Sequence, residues 1–223
     1  MAYDFHTHTF LSDGALLPIE LIRRAIVNGY EALAITDHAS ASNLERVIEE
    51  TSRDCQLARD MWGFLAIPGV ELTNCPASSI ADLAARAKRA GAAIVVVHGE
   101  TLVEPVEPGT NNAAVESSDV DILAHPGLIA LEDAQAAAKR GLFLEITSKR
   151  GHCLSNGHVA RIARETGAPL LVNTDAHEPR DLLTDEFARM VALGAGLSED
   201  EAETALRRNP QLLLARVAPD AAR

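Results

Sequence analysis

The sequence is poor in aromatic residues, in cysteine and in positive charge. Phe, Trp and Tyr make up 4% of the 223 residues, so we expect a core of Ala, Leu, Ile and Val. The three cysteines, Cys55, Cys75 and Cys153, are odd in number, widely spaced and without a CxxC motif, which argues against a disulfide framework and for a reducing compartment. The formal net charge of −12 disfavours binding to long nucleic acids or anionic membranes, because both require a basic footprint.

Long apolar runs and the common nucleotide-binding loops are also absent. No run approaches the roughly 18–20 apolar residues of a membrane helix. The start of the chain has no basic segment followed by an apolar run, so we expect no signal peptide and a cytoplasmic protein. Neither a GxGxxG after the first strand nor a Walker-type loop occurs, which weakens the case for a nucleotide-binding open sheet. The length suits one domain that covers residues 1–223.

What the chain does contain is a repeated alternation of short apolar runs and helix-like stretches. Helices are predicted over residues 17–28 and 80–90, and Gly29, Gly91, Gly141 and Gly167 fall where helices should end. The stretch from Ser198 reads as a capped helix followed by a short terminal one. Seven such units predict an α/β protein with a parallel sheet covered by helices, either a barrel or an open doubly wound sheet. The runs are AYDF, EALAIT, GFLAIPGVEL, AAIVVV, VDILA, LFLEI and PLLVN.

Side chains that bind metal ions recur at the ends of these runs. His6 and His8 are two residues apart on a strand and therefore point to one face, as do Asp175 and His177. The carboxyl ends of parallel strands converge, so we expect nine ligand-type side chains to meet there. Six of the eight histidines belong to this set. Its members are His6, His8, Asp13, His38, Glu71, His98, His125, Asp175 and His177.

Imidazole and carboxylate together suit Zn, Mn or Fe better than Ca or Mg. Nine donors exceed what one ion takes and suffice for two or three. Paired ions can clamp a phosphoryl group and generate hydroxide from water. The pattern therefore predicts a centre of two or three such ions.

The chain resembles the PHP (polymerase and histidinol phosphatase) family of metal-dependent phosphoesterases. The resemblance rests on DFHTH, SDG, AITDH, PGVE, VVVHGE, LAHPG and NTDAH, in that order. It implies a distorted (βα)7 TIM-like barrel and a trinuclear metal site. A first ion would be held by His6, His8, Glu71 and Asp175, a second by Glu71, His98 and His125, and a third by Asp13, His38 and His177. Some members carry histidine where this chain has Asp13.

The resemblance also implies an activity. We expect hydrolysis of a small phosphomonoester, as by a histidinol phosphatase, through attack of hydroxide held by the metal ions, with Glu71, Asp175 and His177 as catalytic residues. One alternative is a phosphodiesterase or exonuclease acting on nucleotides or short oligonucleotides. A second, of a different class, is a non-catalytic scaffold or binding subunit, such as the family's ribonuclease P relative.

Further residues near the strand ends carry separate expectations. Arg180, Lys149 and Arg150 are predicted to contact the substrate phosphate, with Arg180 gripping it through its planar fork. Two interpretations stay open for Asp37 and Glu145: each either supports a metal ligand or bonds to local backbone. For the two histidines outside the set, His152 and His158, we favour packing.

Overall fold

The computed structural model describes residues 3–219 and alternates strands with helices along the chain. The strands are β1 Tyr3–Asp4, β2 Ala32–Ile35, β3 His38–Ala39, β4 Leu65–Leu72, β5 Ile94–His98, β6 Ile122–Ala124, β7 Phe143–Thr147 and β8 Leu170–Asn173. The helices are α1 Pro18–Val27, α2 Leu44–Trp62, α3 Ile80–Ala90, α4 Thr110–Glu116, α5 Leu131–Arg140, α6 Asn156–Thr166, α7 Asp185–Gly194, α8 Glu199–Glu203 and α9 Asn209–Val217.

The strands pair in parallel in the order β1-β2-β4-β5-β6-β7-β8, and the short β3 pairs with β4. The first and last strands meet beyond their ends, where Thr7 bridges to Ala176 and the His8 amide donates to the Ala176 carbonyl at 2.8 Å. The result is a nearly closed barrel of seven strands. The predicted (βα)7 barrel is thereby confirmed, and the open sheet is excluded.

Alternation along the strands divides the core into two layers. Ala32, Ala34, Ile94 and Val96 belong to the cluster that fills the barrel, into which α9 inserts Leu213. The residues between them face the surrounding helices, because successive side chains on a strand point to opposite faces. Both faces of the strands are therefore buried, which explains their near-continuous apolar sequence.

The helix boundaries follow local sequence signals. The predicted helix over 80–90 coincides with α3, and that over 17–28 contains α1. Gly91 ends α3 with φ +106°, a left-handed conformation that glycine adopts without strain. The predicted capped helix from Ser198 is α8, and its cap is a capping box in which the Glu201 amide donates to Ser198 Oγ at 3.3 Å. Within residues 3–219, no helix has both the length and the apolarity needed to cross a bilayer.

Candidate metal centre

The predicted ligands lie together at the carboxyl ends of the strands. His6 and His8 follow β1, and Asp175 follows β8, so the Thr7–Ala176 bridge holds them side by side. Asp175 Oδ1 is 3.2 Å from His8 Nε2, and Glu71 Oε1 on β4 is 3.2 Å from His6 Nε2. Glu71 Oε2 is 2.6 Å from His38 Nδ1. One carboxylate thus reaches histidines on both sides, as a bridging ligand would.

Four overlapping groups of these side chains present donor atoms within 4.8 Å of one another. Two of the groups together contain all the ligands predicted for the first ion. A third group contains the ligands predicted for the third ion and also His8. His98 joins His125 and His152 in a group that does not contain Glu71. How the donors divide among individual ions stays a prediction. The groups are His6–His8–Asp175, His6–Glu71–His125, His8–Asp13–His38–His177 and His98–His125–His152.

Several donor atoms in the centre are buried without a hydrogen-bond partner. A buried polar atom left unpaired costs roughly 1–3 kcal/mol, so such atoms are rare in folded proteins and call for an explanation. Metal ions at these positions would satisfy them, and the mixture of imidazole and carboxylate fits Zn, Mn or Fe. The atoms are His6 Nε2, both ring nitrogens of His8, Glu71 Oε1, His125 Nδ1 and Asp175 Oδ1.

Burial and neighbouring charges shift the pKa values of the histidines and carboxylates in the centre, some upward and some downward. Burial alone lowers the pKa of His6, but Glu145, Glu71 and Asp175 together raise it well above its usual value. Burial lowers the pKa of His8 to about 4, which keeps that imidazole neutral and able to bind a metal ion. Burial would raise the pKa of Glu71, yet His6 and His38 hold it well below the usual range, so the carboxylate is ionised.

Two further residues orient the ligands. Glu145 on β7 accepts from His6 Nδ1 at 2.9 Å and from the His125 amide at 2.9 Å, which answers the question that the sequence left open for this residue. Such a partner fixes the histidine tautomer and leaves Nε2 for a metal ion. Thr73, which sequence analysis missed, places its hydroxyl 2.6 Å from His38 Nδ1 and 2.9 Å from Glu71 Oε2.

Asp37 instead holds a loop together. Its carboxylate accepts from the Thr9 amide at 2.7 Å, from the Thr9 hydroxyl at 2.6 Å and from the Ser12 hydroxyl. The two segments that it joins are the β1–α1 loop, which carries Asp13, and the end of β2. Of the two interpretations of Asp37, the structure favours local bonding over contact with a histidine ligand.

The three predicted phosphate-binding cations line one cavity of about 550 Å³ beside His177. Lys149 reaches into the centre, with Nζ 2.9 Å from the Asp175 carbonyl oxygen and 2.6 Å from His177 Nδ1. Arg180 lies at the outer wall, where its side chain is 80% exposed and pairs with Glu178 at 2.8 Å. Arg150 is exposed as well. Lys149 is therefore the cation closest to the ligands.

The remaining two histidines have different positions. His158 is on α6, and its Nε2 donates to the Ile129 carbonyl at 2.9 Å, a bond consistent with the predicted packing role. His152 is buried within the centre, and its ring stacks on that of His125 with centroids 4.2 Å apart. His152 comes from the segment after β7, where the sequence has no periodic pattern that would predict which way a side chain points.

Two of the predicted ligands have left-handed backbones. His125 has φ 27° and Asp175 has φ 53°. Such conformations cost about 1–3 kcal/mol each in residues other than glycine and persist where the surrounding structure enforces them. Here the enforcing contacts include the bond from the His125 amide to Glu145 and the bridge at Ala176.

A TIM-like barrel with buried imidazole and carboxylate donors at its strand ends defines a metal-dependent hydrolase. The PHP domain model matches residues 4–73, which contain five of the nine predicted ligands, His6, His8, Asp13, His38 and Glu71. The chain belongs to the PHP domain family, a family of metal-dependent phosphoesterases. The predicted family and enzyme class are thereby confirmed.

Proteins of similar sequence are described in different ways. An uncharacterized protein of Methanocaldococcus jannaschii is 53% identical over 97% of this chain and 100% of its own length. A probable phosphatase of Thermoanaerobacter pseudethanolicus is 28% identical over 90% of this chain and 89% of its own. The 5'-3' exoribonuclease Rnm of Escherichia coli is 31% identical over 74% of this chain and 49% of its own.

Solved structures share the fold at low sequence identity. A chain in the cryo-EM structure of archaeal ribonuclease P with mature tRNA has a TM-score of 0.69 and 16% identity, with 98% of this chain and 90% of that chain covered. The histidinol phosphate phosphatase of Lactococcus lactis, complexed with zinc, L-histidinol and phosphate, has a TM-score of 0.60 and 16% identity, with 88% and 94% covered.

Proposed function

We propose that this protein is a phosphatase that hydrolyses a small phosphomonoester with the help of two or three Zn, Mn or Fe ions. The observation that carries the proposal is the position of the donor cluster. One of its members, His177, lines the cavity of about 550 Å³ that Lys149, Arg150 and Arg180 also line. Buried donors on one side and cations on the other fit a phosphate group with a compact leaving group.

The size of the cavity supports a small substrate. Pockets for small molecules typically have volumes of about 300–1,000 Å³, and this one lies within that range. A long polynucleotide would need an extended positive groove, whereas this chain carries a net charge of −12. Three cations, Lys149, Arg150 and Arg180, line the cavity beside His177, where they suit one phosphate.

When bound, the ions would neutralise charge on the phosphoryl group and lower the pKa of water so that it attacks phosphorus. The side chains of the protein prepare this chemistry. Glu71 and Asp175 stay ionised because histidines surround them, and burial keeps His8 unprotonated. Glu145 orients His6, and Lys149 supplies an ammonium group beside His177 that can donate to a phosphoryl oxygen.

An exonuclease is the second candidate function, favoured by the similarity to the exoribonuclease Rnm. The chain spans about half of that relative's own length, 49%. The same donors and the same Lys149 would serve a diester, and the two readings differ only in what the cavity admits beyond the phosphate.

A scaffold role is the third candidate, and the fold likeness to the ribonuclease P chain is its support. All nine predicted ligands are present and the structure collects them in one place, which favours catalysis over a purely structural role.

The test is a substrate panel on the full chain, freed of metal and reconstituted separately with Zn²⁺, Mn²⁺ and Fe²⁺. The panel comprises histidinol phosphate, nucleoside monophosphates and p-nitrophenyl phosphate as monoesters. Bis(p-nitrophenyl) phosphate and a 5'-labelled oligoribonucleotide are the diesters. Glu71→Ala, measured at known metal content, controls for contaminating phosphatases.

We expect kcat/KM for the best monoester to exceed that for either diester by about tenfold or more, a difference of ~1.4 kcal/mol in transition-state stabilisation. A diester preferred by the same margin would replace the phosphatase with the exonuclease. Absence of turnover in a fully metal-loaded protein, combined with binding to structured RNA in a gel-shift assay, would support the scaffold.

A further inference from the structure

A second group of donors lies at the ends of β5 and β6, on the side of the centre away from His177. His98 and His125 belong to the predicted ligand set, but two neighbours do not. Glu104 Oε2 is 3.0 Å from His98 Nε2, and Glu104 Oε1 is 3.4 Å from His152 Nε2. The carboxylate therefore links two imidazoles, while His125 stacks against His152.

Hydrogen bonds at the far side of the rings turn the Nε2 atoms of His98 and His152 toward Glu104. His98 Nδ1 donates to the Gly99 carbonyl at 3.2 Å, since a carbonyl can only accept. His152 Nδ1 bonds to the Thr101 hydroxyl at 2.7 Å. His98 Nε2 therefore faces one carboxylate oxygen of Glu104, and His152 Nε2 faces the other.

The spacing of these donors fits a metal ion. Zn–N and Zn–O bonds of roughly 2.0–2.2 Å in a tetrahedral site place two ligand atoms about 3.3 Å apart. The donor atoms of His98, His125 and His152 lie within 4.8 Å of one another, and Glu104 contacts two of these histidines through different oxygens, at 3.0 and 3.4 Å. The three histidines are buried, whereas the Glu104 side chain is 40% exposed and forms the solvent side of the group.

We propose that His152 is an additional ligand of the second ion, which it holds together with His98 and His125, and that Glu104 closes this site from the solvent side. This inference deepens the proposed function and rests on it for the presence of the ions. Three imidazoles and one carboxylate form a shell that suits zinc. Glu71 Oε1 lies 3.7 Å from His125 Nε2, so His125 links this group to the carboxylate predicted to bridge the first two ions.

The test compares His152→Asn and Glu104→Gln with wild type by metal binding alone. The probes are Zn²⁺, counted per chain by elemental analysis after equilibrium dialysis, and Co²⁺, followed by its visible absorption. His158→Asn is the matched control, because it makes the same change at a histidine outside the centre that bonds to backbone. Circular dichroism verifies that each variant is folded.

Loss of a partner that only orients a ligand already costs about 10–100-fold in metal affinity, so loss of a ligand should cost at least as much. We expect His152→Asn to lower the affinity for one zinc ion by that factor and to remove the contribution of that site to the Co²⁺ spectrum. Glu104→Gln should lower the affinity for the same ion to a smaller extent, because the Glu104 side chain is on the solvent side. His158→Asn should match wild type.

A second comparison separates the contribution of His152 from that of Glu71. The double variant of Glu71→Ala and His152→Asn should bind this ion more weakly than Glu71→Ala alone. Unchanged zinc stoichiometry and Kd in both His152→Asn and Glu104→Gln would overturn the proposal and return His152 to packing. These readouts contain no phosphate ester, so a protein without phosphatase activity would still decide the ligand assignment.

Discussion

The contrast between Lys149 and Arg180 offers the sharpest test of how substrate phosphate is bound. The two cations line the same cavity, but only Lys149 reaches the ligands, with Nζ 3.9 Å from Asp175 Oδ1. Its side chain is 26% exposed against 80% for Arg180. A phosphate bound to ions at the centre therefore lies closer to Lys149 than to Arg180.

The expected magnitudes follow from that exposure. A hydrogen bond to a charged group contributes about 1.5–3 kcal/mol, which corresponds to a loss of roughly 10- to 150-fold in kcat/KM for Lys149→Ala. An exposed ion pair contributes about 0–1 kcal/mol, so Arg180→Ala should lose less than about fivefold. Lys149→Arg should recover part of the loss, because it restores the charge in a different shape.

The assay is steady-state kinetics on the best substrate of the panel, with the metal content of every variant measured in parallel. Arg150→Ala is the matched control for a second exposed cation at the cavity. A tenfold loss in Arg180→Ala with little effect in Lys149→Ala would refute this reasoning and support the sequence-based prediction that Arg180 grips the phosphate. A loss of metal in Lys149→Ala would assign the effect to the centre itself.

Three further outcomes are expected. Glu71→Ala should reduce activity more than any single histidine substitution at matched metal content, because Glu71 contacts donors on both sides; a histidine variant that is worse would contradict its bridging role. Metal affinity should rise with pH. The pKa of His6 is well above its usual value and that of His38 is about 10, so both carry protons at pH 7 that binding must release. Metal affinity should rise by nearly tenfold per pH unit for each proton released. Metal titrations at several pH values that show no change in affinity would refute this prediction. Removal of the ions should lower Tm. Free metal ion at 100 times Kd stabilises the folded protein by about 2.7 kcal/mol per site, which corresponds to roughly 5–10 °C at this chain length. Thermal melts with and without chelator measure the difference.

Sequence patterns predicted the parts of the centre that follow strand periodicity. Asp175 and His177 were expected together because residues two apart on a strand share a face, and the structure brings both to the donor cluster. Thr73 follows Glu71 by the same spacing and was available from the same signal. The bounds of α3 were predictable because its apolar spacing and Gly91 agree.

Features that depend on loops were not predictable. His152 and Glu104 come from segments after β7 and β5 with no periodic pattern, and they meet only because the loops fold over the strand ends. The alternation of strands and helices left two architectures open, and the barrel was predicted only through the family resemblance. Closure depends on the stagger summed over seven strands, which the structure shows where Thr7 meets Ala176. Strand β3 has two residues, too few for any pattern to indicate.

The left-handed backbones of His125 and Asp175 determine how mutations at the centre should be interpreted. Asparagine tolerates this conformation nearly as well as aspartate, whereas alanine does not. An alanine at position 175 would therefore combine two effects, the loss of a ligand and a rearranged main chain, and its phenotype would overstate the role of the carboxylate. Asp175→Asn removes the charge and keeps the local path of the chain. Alanine at Glu71, which lies in a regular strand, carries no such second effect, so the two acids need different substitutions before their contributions are compared.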